Sequence, residues 1–193
     1  MKTKLRRFVP RLLALEDRSL PATFELVGSS LIVTGTAGAD QITITDDGTA
    51  TGIQIDGDGD GLFDATDPDD YIAAAPIVAI FVETLEGDDT VTYNLTGPLS
   101  VLRFVDAKLG RGDDIYTANI SGQTITADGE LHITGEGDGG KDIITLNAQA
   151  VTTELGSSLQ VFLAGEAGKD TIVLDYTAPE GGEGGAVTLE QKR

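Results

Sequence analysis

One short unit, Gly-x-Asp followed by alternating aliphatic and polar residues, recurs five times along this chain of 193 residues. The aspartates are separated by 49, 25, 28 and 28 residues, so the period is 25–28 residues with one doubled interval. A period of this size is typical of proteins that stack one structural unit on the next. The copies are Gly38-Ala39-Asp40, Gly87-Asp88-Asp89, Gly112-Asp113-Asp114, Gly140-Lys141-Asp142 and Gly168-Lys169-Asp170.

The stretches around each copy alternate in polarity, which predicts half-buried strands. One alternating run follows each aspartate, a second precedes most copies, as at 30–35 and 130–135, and a weaker third lies at 123–127 and 150–155. Three strands of about five residues and three turns of about four make roughly 27 residues, which matches the period. The sequence therefore predicts an all-β chain, built as a parallel β-solenoid with coils of 25–28 residues.

An antiparallel β-sandwich is the alternative fold, since strands recurring every 8–12 residues are also its signal. In either fold we assign the repeats to one β domain over residues 23–177. The segment 178–193 is rich in Gly and Glu, and this composition predicts a disordered tail.

The net charge of −19 is unevenly distributed. The first 18 residues hold six of the 13 Lys and Arg, which leaves 7 basic and 30 acidic residues, a net of −23, in 19–193. Nucleic acids and anionic membrane surfaces are recognised by clustered Lys and Arg, so we expect neither as a partner. Asp outnumbers Glu by 21 to 11, and short carboxylates on Gly-rich backbone suit hard cations.

The chain has no cysteine, which excludes disulfides and thiolate metal sites. No run of about 18 apolar residues is present, so we expect no membrane insertion. The basic segment 1–22 has an apolar patch that Pro10 and Arg11 interrupt, and it is therefore a poor match to a secretory signal.

Within that segment, Leu15-Glu16-Asp17-Arg18-Ser19-Leu20-Pro21 resembles the LEPR-type segment at the N-termini of large exported bacterial repeat proteins. Asp17 stands where that family has Pro. The resemblance implies export or sorting, and hence an extracellular or cell-surface location in a bacterium.

The most specific motif is an Asp-rich loop over residues 56–67. Carboxylates stand at loop positions 1, 3, 5, 9 and 12, with Gly61 at position 6 and an apolar residue at position 8. This spacing matches the template of calcium-binding loops, in which alternate residues direct their oxygens to one point. The flanks are strand-like, which favours a hairpin loop over an EF-hand. The candidate ligands are Asp56, Asp58, Asp60, the Leu62 carbonyl, Asp64 and Asp67.

The Gly-x-Asp units resemble the G-G-x-G-x-D-x-U-x nonapeptide of RTX-type (hemolysin-type) calcium-binding β-rolls, most closely from Gly110 to Tyr116. In that family the repeat Asp and the loop carbonyls share Ca²⁺ between successive turns. This chain departs from the family in its longer period, and Leu85, Asp138 and Glu166 replace the first Gly in three copies. By resemblance, further candidate ligands are Asp40, Asp89, Asp114, Asp142 and Asp170.

We expect no enzymatic activity. His132 is the single histidine, so a Ser-His-Asp site and a zinc site have little support. Adjacent acidic residues on a strand point to opposite faces, so a pair such as Asp113 and Asp114 offers only one group to a site.

These observations favour a calcium-stabilised extracellular structural or adhesion module, whose partner would be a polysaccharide or protein of the cell surface or matrix. The alternatives are a carbohydrate-binding module and a β-helix polysaccharide lyase or hydrolase. Sugars stack on aromatic side chains, and the tyrosines available for such a platform are Tyr71, Tyr93, Tyr116 and Tyr176.

Overall fold

A computed structural model describes residues 22–63, 66–179 and 184–192, and these ranges are all β. The strands are β1 Thr23–Val27, β2 Ser30–Thr34, β3 Gln41–Asp46, β4 Ile53–Asp56, β5 Asp70–Ile72, β6 Ala79–Glu83, β7 Thr90–Leu95, β8 Leu102–Lys108, β9 Ile115–Asn119, β10 Thr124–Ile125, β11 Glu130–Glu136, β12 Gly139–Gly140, β13 Ile143–Ala148, β14 Thr152–Thr153, β15 Ser158–Ala164, β16 Ala167–Gly168, β17 Thr171–Tyr176 and β18 Ala186–Lys192.

Two seven-stranded sheets form the walls of a parallel β-solenoid of about 4 turns. Sheet A has the order β1-β2-β6-β8-β11-β15-β18, and sheet B has the order β17-β13-β9-β7-β3-β4-β5. The register repeats the sequence period, since Glu130 pairs with Ser158 and Ile115 pairs with Ile143. The predicted solenoid is therefore confirmed. The sandwich alternative is wrong, because equivalent strands of successive coils pair in parallel.

The strands on the third side of the coils are shorter than the alternating sequence pattern predicts. The weak runs at 123–127 and 150–155 contribute only the two-residue strands β10 and β14, which pair with each other in parallel. A second narrow ladder pairs β12 with β16 at the Gly-x-Asp corner. The alternating residues outside these short strands lie in turns, where the backbone changes direction between the two sheets.

The N-terminal end of the solenoid is closed by antiparallel strands. β1 covers β2 at the edge of sheet A, and β4 and β5 extend sheet B beyond β3. β4 and β5 belong to an insertion over residues 47–77, here called the inserted hairpin, which includes the Asp-rich loop. This insertion explains the doubled interval between Asp40 and Asp89.

The C-terminal segment is ordered where its sequence alternates. Ala186–Lys192 form β18, which pairs in parallel with β15. Val187 and Leu189 pack against the core, because their spacing of two puts both on the inner face. The prediction of a disordered tail over 178–193 is wrong for this strand. Residues 180–183 and 193 lie outside the described residues, as do residues 1–21 of the predicted export segment.

The core between the sheets is built from their inward positions. Isoleucine, leucine and valine predominate, together with the fully buried Tyr93 and Tyr116. In the described ranges there is no helix long and apolar enough to cross a bilayer.

A buried ion pair between Arg103 and Asp46 lies in this core. The guanidinium of Arg103, on β8, donates from Nε to Asp46 Oδ2 at 2.7 Å, and both side chains are inaccessible to solvent. Tyr93 donates its hydroxyl to the same oxygen at 2.9 Å. Arg103 also donates to the carbonyls of Thr49 and Ile77. These two carbonyls lie near the two ends of the inserted hairpin, so Arg103 joins the hairpin to the coils.

Candidate metal centre and the aspartate ladder

The glycines of the repeat stand where successive coils approach most closely. A Cβ atom added to Gly112 would lie 1.7 Å from the carbonyl oxygen of Gly87, and one added to Gly140 would lie 1.7 Å from that of Gly112. At Gly168 the corresponding distance to the Gly140 oxygen is 1.6 Å. Real non-bonded atoms do not approach so closely, so the stacking itself requires glycine at this position.

The aspartates of the repeat form a ladder along the solenoid. In each step the backbone N–H of one aspartate donates to Oδ1 of the aspartate in the following coil. The distances are 2.8 Å from Asp40 to Asp89, 2.8 Å from Asp89 to Asp114, 3.0 Å from Asp114 to Asp142 and 3.1 Å from Asp142 to Asp170. The repeat therefore links coils through side chains as well as through strands.

The second carboxylate oxygen is buried without a hydrogen-bond partner at three rungs, Asp89, Asp114 and Asp142. Burial raises the pKa of all three carboxyls, and that of Asp114 rises to about 6. The hydrogen bond from the Asp89 backbone lowers the pKa of Asp114, whereas the neighbouring carboxylates raise it. A proton or a cation would relieve this column of buried negative charge.

The first rung differs because its second oxygen has a partner. Asp40 Oδ2 accepts the backbone N–H of Thr36 at 2.7 Å, and Oδ1 accepts the Thr36 hydroxyl at 3.1 Å. Asp40 is thus satisfied within its own turn, unlike the three rungs that follow it.

The Asp-rich loop winds around a single carboxylate. Asp56, at the end of β4, is almost fully buried. Its Oδ1 accepts the backbone N–H groups of Asp58 at 3.3 Å and Gly59 at 2.6 Å, and its Oδ2 accepts that of Gly61 at 2.8 Å. A carboxylate offers about four lone-pair positions, so the three N–H donors leave one position of Asp56 at which a cation can bind.

Three carboxylates converge at the base of this loop. Ligand oxygens of Asp56, Asp58 and Asp70 all lie within 4.8 Å of one another, and no other group of three acidic or imidazole ligands this close occurs in the described residues. Asp70 begins β5 and pairs directly with Asp56 across the hairpin. The set is all oxygen, which is the donor type that Ca²⁺ prefers.

Asp70 was missed because its position depends on strand register. The calcium-loop template ends at Asp67, whereas the antiparallel pairing of β4 with β5 puts Asp70 opposite Asp56. The one available signal is the run Asp69-Asp70 before the short apolar pair Tyr71-Ile72, which is compatible with a returning strand.

The remaining loop candidates are not part of this group. Asp60 Oδ1 accepts the backbone N–H of Leu62 at 2.7 Å, and Asp67 Oδ1 accepts that of Asp69 at 3.0 Å. Leu62 is exposed. Asp64 lies outside the described residues. These local bonds are those of ordinary Asx-type turns.

The tyrosines do not form a common platform. Tyr93 and Tyr116 are fully buried, Tyr71 packs its ring 5.8 Å from that of Phe24, and Tyr176 packs partly against the core. His132 lies on the outer face of sheet A with its ring 4.5 Å from that of Phe104.

Comparison of the chain with models of protein families, with curated proteins and with solved structures finds no match. Functional inference therefore depends on the geometry of the chain itself.

Proposed function

We propose that this chain is a calcium-binding extracellular structural or adhesion module whose fold Ca²⁺ stabilises. The observation that carries the proposal is the convergence of Asp56, Asp58 and Asp70 at the base of the inserted hairpin. Without a cation, three carboxylates at this separation repel one another. A bound Ca²⁺ would relieve this repulsion, and its attraction to the three carboxylates would supply the binding free energy.

The donor set fits a partly hydrated calcium ion. Ca²⁺ takes 6–8 oxygen ligands, and three carboxylates supply from three to six of them. Asp58 is exposed, so water can complete the shell. A site with few protein ligands is typical of extracellular modules, which bind calcium at high ambient concentrations.

The aspartate ladder supports the same proposal independently. Three of its carboxylates present a buried oxygen that has no hydrogen-bond partner, and the net charge of the chain is −19. The resemblance of the repeats to RTX-type β-rolls, and of the N-terminal segment to those of exported bacterial proteins, agrees with this function.

A calcium ion bound at the base of the inserted hairpin would stabilise the whole fold. The inserted hairpin supplies the last two strands at one edge of sheet B and is tied to the core by Arg103. An ion that binds only the native hairpin lowers the free energy of the folded state by about 2.7 kcal/mol at a hundredfold excess over Kd.

The test is thermal unfolding in EGTA and in excess Ca²⁺. We expect Ca²⁺ to raise the Tm by roughly 5–10 °C, and equimolar Mg²⁺ to raise it much less. Asp58→Asn retains the oxygen that accepts the Asp60 N–H at 3.1 Å but removes a charge. It should raise the calcium midpoint about tenfold or more.

Asp128→Asn is the matched control, because Asp128 is exposed in a turn between β10 and β11. An equal loss of calcium affinity in Asp58→Asn and Asp128→Asn would show that only the net charge matters, and it would contradict a site in the loop. Asp114→Asn distinguishes a calcium site in the Asp-rich loop from one in the aspartate ladder. If the loop holds the dominant ion, this variant should leave the calcium-induced rise in Tm unchanged. A Tm that is the same in EGTA and in Ca²⁺ would overturn the proposal.

A further inference from the structure

The outer face of sheet A carries aromatic side chains on four consecutive strands. These are Phe81 on β6, Phe104 on β8, His132 on β11 and Phe162 on β15. Phe81 and Phe104 are 42% and 37% exposed, although large apolar side chains are ordinarily buried. The corresponding positions of sheet B carry mainly threonine and asparagine, as at Thr117 in β9. The two outer faces therefore differ in chemistry.

An acidic side chain lies within this aromatic face. Asp106 is on the same side of β8 as Phe104, two residues further along. Across the sheet it pairs with Phe81 on one side and Thr134 on the other. Asp106 Oδ1 is buried and has no hydrogen-bond partner. Burial raises the pKa of Asp106, while Lys108 lowers it.

A cavity of about 290 Å³ adjoins this carboxylate and is lined by Phe81, Phe104, Asp106, His132 and Thr134, among others. His132 supplies a second unsatisfied atom, since its Nε2 is buried and makes no hydrogen bond. Its nearest acidic oxygen, Glu130 Oε2, is 3.7 Å away. Buried acceptors without donors cost free energy, so a ligand that brings N–H groups is favoured here.

We propose that this cavity binds a protonated primary amine. The positive charge would lie against the faces of Phe81 and Phe104, an arrangement that is favourable when the cation is partly desolvated. Its N–H groups would donate to Asp106 Oδ1, beside the ring of His132. The charge of −19 would attract such a ligand over a distance and repel an anion.

Other occupants fit the cavity less well. A calcium ion needs 6–8 oxygen ligands, whereas this cavity offers one carboxylate and one hydroxyl, and the rest of its lining is aromatic or aliphatic. A neutral sugar would stack on the rings but would leave the charge of Asp106 uncompensated. A quaternary ammonium would satisfy the charge but has no N–H to donate to Asp106 Oδ1. A lysine side chain and an amino sugar are two sources of the required group.

The test is titration of the calcium-loaded protein by calorimetry and by two-dimensional amide NMR. The probes are glucosamine, Nα-acetyl-lysinamide, glucose and tetramethylammonium. We expect the first two to bind at the residues that line the cavity, and glucose and tetramethylammonium to bind at least about tenfold more weakly. The ratio between glucosamine and the lysine derivative identifies the source.

The variants make the result specific. Asp106→Asn should weaken binding of both amines about tenfold or more, and Phe104→Leu roughly threefold. Asp128→Asn controls for the loss of one charge. Phe162→Leu controls for the loss of one outer-face ring, since Phe162 lines a different cavity beside His132. Binding of glucose as tight as that of glucosamine, or an Asp106→Asn variant that binds like the wild type, would overturn the proposal.

Discussion

The regular coils and the inserted hairpin use the same residues, Gly and Asp, for different purposes. In the coils, Asp114 and its equivalents bond to backbone 25–28 residues away, and their second oxygens are buried. In the hairpin, the bonds to Asp56 come from two to five residues away, and the loop opens to solvent. Gly and Asp therefore link one coil to the next where a coil follows them, whereas in the hairpin they bring several carboxylates of one loop together.

The strongest way to test the connection between the two regions is Arg103→Met. This variant leaves Asp46 buried without its cation, and loss of one partner from a buried ion pair costs about 3–5 kcal/mol. We expect the Tm to fall steeply and the calcium-dependent increment to shrink, because Arg103 anchors both ends of the hairpin. Urea unfolding with and without Ca²⁺ measures both effects.

Adding Asp46→Asn to this variant should recover part of the loss, since the uncompensated charge is then removed. If Arg103→Met destabilised the coils and left the calcium increment intact, the hairpin would be independent of the core.

The stacking role of the repeat is tested by Gly140→Ala. Its Cβ would lie 1.7 Å from the Gly112 carbonyl, so the coils must separate, at a cost of about 3 kcal/mol. Gly139→Ala is a matched control one residue away, because nothing lies within 4 Å of the Cβ it would add. Equal stability of the two variants in chemical denaturation would contradict the close approach of the coils.

The smallest expected effect is the pH dependence of the ladder. Burial raises the pKa of Asp114 to about 6, so its ionised form costs stability above that pH. The cost is relieved as the pH falls through about 6 and is gone below the ordinary value of 3.8. In EGTA, stability should therefore rise by on the order of 1 kcal/mol between about pH 7.5 and pH 5.

Asp114→Asn keeps the Oδ1 that accepts the Asp89 N–H and should flatten this profile. The groups that face Asp114 are Asp88, Asp89 and Asp142, so some dependence should remain. Asp128→Asn removes an exposed charge and should leave the slope as in the wild type. If the dependence of stability on pH weakened equally in both variants, the effect would come from net charge and not from the ladder.

Much of the fold follows from local pattern. The alternation after each Gly-x-Asp unit corresponds to β3, β7, β9, β13 and β17, because a period of two puts every second side chain inside. The tail is the exception. Its Gly and Glu content suggested disorder, yet the inward Val187 and Leu189 find a complementary edge at β15, which composition cannot reveal.

Only part of the three-carboxylate site could be predicted from the sequence. Asp56 and Asp58 follow from loop spacing, since consecutive turn residues are held close by the chain itself. Asp70 joins them through the register of β4 and β5. Asp106 acquires its surroundings from β6 and β11, whose residues are distant in the sequence.

The period and the strands that follow each Gly-x-Asp unit were thus determined by the sequence alone, because they depend on a pattern that repeats along the chain. The requirement for glycine in the repeat follows only from the close approach of successive coils. The buried oxygens of the ladder, the three-carboxylate group and the aromatic cavity were decided by tertiary structure. Each depends on which side chains of different strands meet, and that is set by register and packing across the sheets.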